Sequence, residues 1–221
     1  MKLQLALDEL KLEDALHFAE KVIDYVDIIE IGTPFVIEEG MNAVRKFKNK
    51  FPHKEILSDE KIMDGGYHES ELAFDAGAEY VTVLGVTDIL TVKACLKAAD
   101  DHKKQVVVDM ICVEDLANKV KQMEEAGVHV LAVHTGADQQ AAGHTPIDDL
   151  KIMKKYAKKA KVAVAGGITS KTIDQYVELN PDIIIVGTGI THAEDPVTEA
   201  RLIKEAMEKS KQKGVRNGSL Q

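Results

Sequence analysis

An aspartate, a lysine two residues on and a second aspartate three further stand together in Leu57-Ser58-Asp59-Glu60-Lys61-Ile62-Met63-Asp64-Gly65-Gly66. Apolar residues lead into this stretch and a glycine pair follows it, which reads as a strand entering a loop and then a helix. Alternation along a strand turns Asp59 and Lys61 to the same side. Opposite charges on one inward face are costly to bury unless something charged or reactive sits among them. An isolated D-x-K reads first as a salt bridge at a strand end, so the surrounding elements must decide.

Those elements recur evenly. Strand-like runs cover Leu3–Asp8, Asp27–Gly32, Glu55–Lys61, Tyr80–Gly85, Gln105–Met110, Val130–Gly136, Lys161–Gly167 and Asp182–Thr188. Helical segments lie between and after them at Glu13–Val26, Val36–Lys50, Glu69–Ala76, Ile89–Ala99, Val113–Ala126, Ile147–Ala160, Thr169–Leu179 and Pro196–Lys209. Ala76-Gly77-Ala78 and Ala126-Gly127-Val128 look like glycine-terminated helix ends. Short strands alternating with helices at a period of roughly 25 residues imply parallel βα units. Eight such units predict an α/β fold, a single (β/α)8 TIM barrel over residues 1–210. A doubly wound open sheet is the alternative, but eight even units without interruption favour closure. Residues 211–221 are polar and aperiodic and read as a disordered C-terminal tail.

In a parallel barrel the chemistry gathers at the C-terminal ends of the strands. Here those ends carry Asp8, Glu30, then Asp59, Lys61 and Asp64, then Asp109 and His134. The last two strands instead end in Gly166-Gly167 and Gly187-Thr188-Gly189. Glycine lets backbone N–H groups approach an anion, and a following helix N-terminus adds a favourable dipole, so these ends predict a phosphate site. Glu30 and Asp59, on neighbouring strands, suit Mg²⁺, which prefers oxygen ligands and keeps several waters. Lys61 among carboxylates stays protonated and would stabilise an oxyanion. His134 has the intrinsic basicity for proton abstraction near neutrality.

Composition narrows the class. With 221 residues, 45% hydrophobic content, a net charge of −9 and a pI near 5.4, the chain can bury a core and presents no basic block for nucleic acid. No apolar run approaches the roughly 18 residues of a membrane span. The start is strand-like rather than a signal peptide, and Cys95 and Cys112 lack metal-type spacing, so a cytoplasmic protein with reduced thiols is expected.

The D-x-K-x-x-D run, the opening Leu3-Gln4-Leu5-Ala6-Leu7-Asp8 and Val26-Asp27-Ile28-Ile29-Glu30-Ile31-Gly32-Thr33-Pro34 resemble the orotidine monophosphate decarboxylase suprafamily. Within it the chain closely resembles the 3-hexulose-6-phosphate synthase family, through Val107–Ile111, Val133–Gly143, Val164–Ile168 and Val186–Ile190. The resemblance covers nearly the whole chain up to about residue 209. It implies a reversible, Mg²⁺-dependent aldol condensation of D-ribulose 5-phosphate with formaldehyde through an enediolate. It also implies roles: Glu30 and Asp59 as metal ligands, Lys61 on the enediolate oxygen and His134 as the base at C1. Asp8 and Asp109 would hold substrate hydroxyls and orient Lys61. Gly167, Gly187, Thr188 and Gly189 would receive the phosphate. A homodimer with shared active sites is implied as well, with Asp64 reaching into the partner's site.

The nearest rival, the 3-keto-L-gulonate-6-phosphate decarboxylase family, resembles H-R-S-R-D after the sixth strand and G-R-A after the eighth. This chain has His134-Thr135-Gly136-Ala137-Asp138 and Gly187-Thr188-Gly189. Both departures favour the aldolase. Orotidylate decarboxylase itself needs no metal and makes no use of Glu30. Relative to the synthase pattern, Ser58 stands for a common alanine, Glu60 for an apolar residue and Thr188 for a glycine. A reading from another class, a non-catalytic sugar-phosphate-binding subunit, is opposed by the joint presence of Asp8, Glu30, Asp59, Lys61, Asp109 and His134.

Overall fold

A computed structural model describes the backbone of residues 1–218 and the side chains of residues 1–210, and in it the eight apolar runs form eight strands. They are β1 (Lys2–Leu7), β2 (Ile28–Ile31), β3 (Glu55–Ile62), β4 (Tyr80–Leu84), β5 (Gln105–Asp109), β6 (Val130–His134), β7 (Lys161–Ala165) and β8 (Ile183–Val186). Each pairs in parallel with its sequence neighbours, and β1 also pairs with β8 in the register Lys2↔Ile183. The sheet therefore closes, and the chain is a single (β/α)8 barrel.

Parallel strands covered on both faces read as nearly continuous apolar runs, which is why they stood out in the sequence. Their outward side chains, such as Leu3, Leu5, Ile29 and Val108, join one core with the helices. Their inward side chains form a second core of Ile28, Leu57, Tyr80, Val107, Val130, Ala132, Ala163 and Ile183. Burying each large aliphatic side chain stabilises the fold by about 1.5–3 kcal/mol. Below the inner core, Lys2 Nζ donates to both carboxylate oxygens of Glu55, at 2.7 and 2.5 Å, and to the Tyr80 hydroxyl at 3.5 Å. That contact seals the floor and leaves the opposite end open.

The outer layer is α1 (Leu12–Val22), α2 (Thr33–Glu39), α3 (Met41–Lys50), α4 (Gly66–Asp75), α5 (Ile89–His102), α6 (Leu116–Ala126), α7 (Ala137–Ala141), α8 (Ile147–Tyr156), α9 (Ile173–Val177), α10 (Thr188–Thr191) and α11 (Pro196–Gly218). In α1 the residues Ala15, Leu16, Ala19 and Val22 form the buried stripe. Aspartates accept from first-turn N–H groups at two helix starts: Asp88 from Leu90 in α5 and Asp115 from Asn118 in α6. Gly77 and Gly127 end α4 and α6 as expected.

Three helical expectations need correction. The single helix expected over Val36–Lys50 is two helices, because Gly40 at φ 58° breaks the turn and its N–H closes α2 on the Val36 carbonyl. The helix expected over Thr169–Leu179 contracts to α9. In α11 the helical backbone continues to Gly218, past the point where a polar tail was expected, since Lys, Gln and Arg favour helix without needing an apolar stripe. Residues 219–221 lie outside the described residues. Among the described residues, no helix is long and apolar enough to cross a membrane.

Candidate active site

The open end of the barrel holds a cavity of about 590 Å³. Its wall includes Asp8, Glu30, Asp59, Lys61, Asp109 and His134, together with Gly166, Gly167, Gly187, Thr188 and Gly189. Eleven of the twelve residues singled out from the sequence thus meet in one place. Asp64 does not. It is exposed on the loop after β3, where its carboxylate accepts from the Gly65 N–H at 2.8 Å.

β3 is irregular where it matters. Lys61 adopts a left-handed backbone, φ 48°, which is rare for a residue with a side chain and marks a locally strained position. Lys61 Nζ lies 2.5 Å from Asp59 Oδ2 and 3.5 Å from Asp109 Oδ2. Burial opposes the charge on Lys61, but Asp59 and Asp109 outweigh it and raise the pKa, so the side chain is an ammonium at neutral pH. On the far side of the same strand, Glu60 faces the helical layer. Ser58 Oγ donates to it at 3.0 Å, and burial pushes its carboxyl up to about 7.

His134, at the end of β6, places Nδ1 2.9 Å from Asp109 Oδ2, while Asp109 also accepts from the Ile111 N–H at 2.9 Å. Burial alone would raise the Asp109 carboxyl. The hydrogen bond and charge of His134, with Lys61 nearby, reverse this and hold it below the ordinary carboxylate range. With Nδ1 bound to a carboxylate, the tautomer that donates from Nδ1 leaves Nε2 as the basic nitrogen. Asp109 was expected to orient Lys61. It does lie beside Lys61, but its closer partner is His134.

The remaining carboxylates are crowded. Glu30 is 8% exposed, and its Oε2 accepts from Gln4 Nε2 at 2.6 Å. Burial, and next the Asp59 charge, push its carboxyl well above the usual range. Asp8 is raised by the same two causes. Glu30 beside the charge of Asp59 is costly to ionise, and a hard divalent cation between these oxygen donors would relieve that cost. Among the described residues, no group of three His, Cys, Asp or Glu side chains forms a complete cage, so water and substrate oxygens would have to finish the coordination.

Across the cavity the strand ends carry little side chain. Gly166 and Gly167 have φ of 130° and 65°, conformations closed to most residues. A Cβ at Gly189 would come within 2.1 Å of the Ile168 carbonyl oxygen, so the segments that follow β7 and β8 approach as only glycine allows. The helix-dipole part of the expectation is corrected. α10, directly after Gly187, has only four residues and α9 begins only at Ile173, so an anion placed here would have to be met mainly by local N–H groups.

Three uncharged residues of the site were not anticipated. Thr33 Oγ1 sits 2.8 Å from both the Asp59 carbonyl and Oδ2, and it accepts from Lys61 Nζ at 3.1 Å. Thr82, from the strand that offers no charge, donates to Asp59 Oδ1 at 2.7 Å. Gln4 holds Glu30. A polar residue at an inward position of a barrel strand was the available signal in Gln4 and Thr82.

The chain belongs to the Orotidine 5'-phosphate decarboxylase / HUMPS family, matched over residues 1–203. Closer relatives narrow this. It is 47% identical over 208 residues to a 3-hexulose-6-phosphate synthase of Staphylococcus haemolyticus, spanning 94% of this chain and 99% of the relative. The crystal structure of 3-hexulose-6-phosphate synthase from Salmonella typhimurium matches with a TM-score of 0.94 at 61% identity, over 95% of this chain and 100% of that one. A 3-keto-L-gulonate-6-phosphate decarboxylase from Vibrio cholerae is more distant, with a TM-score of 0.84 at 28% identity over 94% and 97%. Kinship with the synthases makes the chain an enzyme of the aldehyde-lyase type.

Proposed function

We propose that this enzyme condenses D-ribulose 5-phosphate with formaldehyde, reversibly, to D-arabino-hex-3-ulose 6-phosphate, with Mg²⁺ as cofactor. The observation that supports it most is the His134–Asp109 pair beside the Lys61 ammonium, in a cavity whose opposite wall is glycine. The phosphate would rest on Gly166, Gly167, Gly187, Thr188 and Gly189, which places the other end of a five-carbon sugar near Lys61. His134 Nε2 takes a proton from C1. The electron pair left behind is delocalised as an enediolate, whose oxygen the Lys61 ammonium stabilises. C1 then attacks the formaldehyde carbon, the new C–C bond forms, and the former carbonyl oxygen collects a proton from the imidazolium. Asp109 keeps the imidazole oriented throughout and stabilises its charged form.

Glu30 and Asp59 would hold the Mg²⁺, which when bound supplies Lewis-acid stabilisation of developing oxyanion charge. Asp8 would accept from a substrate hydroxyl. Ala137 lines the cavity where a decarboxylase of this family resembles arginine, which favours condensation. The deciding assay offers the purified protein Mg²⁺ and ribulose 5-phosphate with formaldehyde, beside a parallel assay for CO₂ release from 3-keto-L-gulonate 6-phosphate. Condensation abolished by EDTA is expected. Dominant CO₂ release would replace this reading with the decarboxylase, and activity in neither would favour a binding subunit.

The enzyme would act as a homodimer, with Asp64 projecting into the partner's cavity. In support, Asp64 stands clear of its own cavity, and exposed Ile37, Met63, Val86 and Leu90 lie on the segments that follow β2, β3 and β4. Mixing inactive Asp64→Ala subunits with inactive Lys61→Ala subunits should restore roughly a quarter of the activity, the share a random heterodimer population would carry. No recovery would remove Asp64 from the shared site.

A further inference from the structure

β3 and β4 pair at Ser58↔Val81 and again at Ile62↔Val83, so Asp59, Glu60 and Lys61 face a single residue of β4, Thr82. Extra residues on one strand break the ladder locally, and their backbone groups need partners elsewhere. The Lys61 N–H finds its partner in a side chain: it donates to Thr82 Oγ1 at 2.9 Å. The same hydroxyl gives its proton to Asp59 Oδ1 at 2.7 Å. Thr82 is 5% exposed and points into the cavity. Thr33 serves the far ends of the same groups, touching Asp59 Oδ2 and Lys61 Nζ.

We propose that Thr82 is a positioning residue for the reaction, its hydroxyl being the clasp that closes the β3 bulge and thereby sets both the Asp59 carboxylate and the Lys61 backbone. A hydroxyl suits the place because it accepts and donates at one atom. Valine has the same shape and can do neither. Serine can do both but lacks the branched carbon that stiffens χ1. The clasp lies on the β3–β4 side of the cavity, away from the glycine strand ends, so its loss should disturb the chemical step and leave phosphate binding alone.

The kinetic part rests on the aldol reading above, and the test separates the two. Thr82→Val and Thr82→Ser are compared with the wild type as Mg²⁺-loaded enzyme, measuring kcat, KM for ribulose 5-phosphate and native-state hydrogen exchange at the Lys61 amide. For Thr82→Val, kcat should fall roughly 10- to 100-fold, the range a misplacement near 1 Å produces. KM should stay within about twofold, and the Lys61 amide should exchange faster. Thr82→Ser should recover most of kcat and of the amide protection. If Thr82→Val does not fold, Thr82→Ala carries the same comparison. An unchanged kcat, a loss that serine fails to restore, or an unchanged Lys61 amide would overturn the proposal. A wild type without condensation would overturn the aldol reading instead, and the exchange measurement would still decide on the clasp.

Discussion

His134→Asn is expected to slow deuterium exchange at C1 of ribulose 5-phosphate by about 10²- to 10⁴-fold, the usual contribution of a positioned general base. Asparagine is chosen because its amide can still donate to Asp109 Oδ2, which His134 Nδ1 meets at 2.9 Å. The substitution therefore removes basicity with little loss of packing. Asp109 would keep the hydrogen bond from the Ile111 N–H and gain one from the asparagine amide in place of the imidazole. Sugar-phosphate affinity, followed by calorimetry, should change little, because the glycine strand ends are untouched. Exchange at the wild-type rate would exclude His134 as the base.

Glu30→Gln should move activity and stability in opposite directions. If Glu30 holds Mg²⁺ as proposed, its loss is expected to lower turnover by roughly 10²- to 10³-fold, equivalent to several kcal/mol of oxyanion stabilisation. The metal-free protein, by contrast, should become more stable at neutral pH. The folded-state pKa of Glu30 is raised, first by burial and then by Asp59, above the value it has when unfolded. The folded state therefore holds a proton that the unfolded state releases, and stability falls as pH climbs above the ordinary carboxylate range. Glutamine does not ionise and retains an oxygen for Gln4. The gain should appear as a higher Tm of the metal-free variant. Scanning calorimetry in EDTA should show that gain at pH 8 and little of it at pH 4. A variant that melts lower than the wild type at pH 8 would contradict the account.

Much of this was readable from residues alone, for identifiable reasons. The strands announced themselves because a parallel barrel buries both faces of each one, and the rim could be read because side chains alternate. Strand ends do not tell which rim groups meet. Asp109 and His134 were both named, yet their pairing is set by the β5–β6 register Asp109↔Ala132, which no local pattern encodes. Thr33 and Thr82 were passed over because a hydroxyl matters only where the backbone has left the ladder. The bulge that gives Thr82 its role lies inside an eight-residue run that looks regular. Gly40 breaks a helix in a stretch whose flanking residues favour one, its own low helix propensity and positive φ outweighing theirs.

The pairing of β1 with β8 joins residues at opposite ends of the chain, as Lys2↔Ile183 and Leu5↔Val186. Contacts so distant in sequence carry the largest loop-closure entropy and fall late in folding. The cavity straddles that seam, drawing Asp8 from just beyond β1 and Gly187 from just beyond β8. A chain that has not yet added its last strand lacks Gly187, Thr188 and Gly189, and with them one wall of the cavity. Turnover is thus a reporter of completed barrel closure, and a partly folded molecule is catalytically silent.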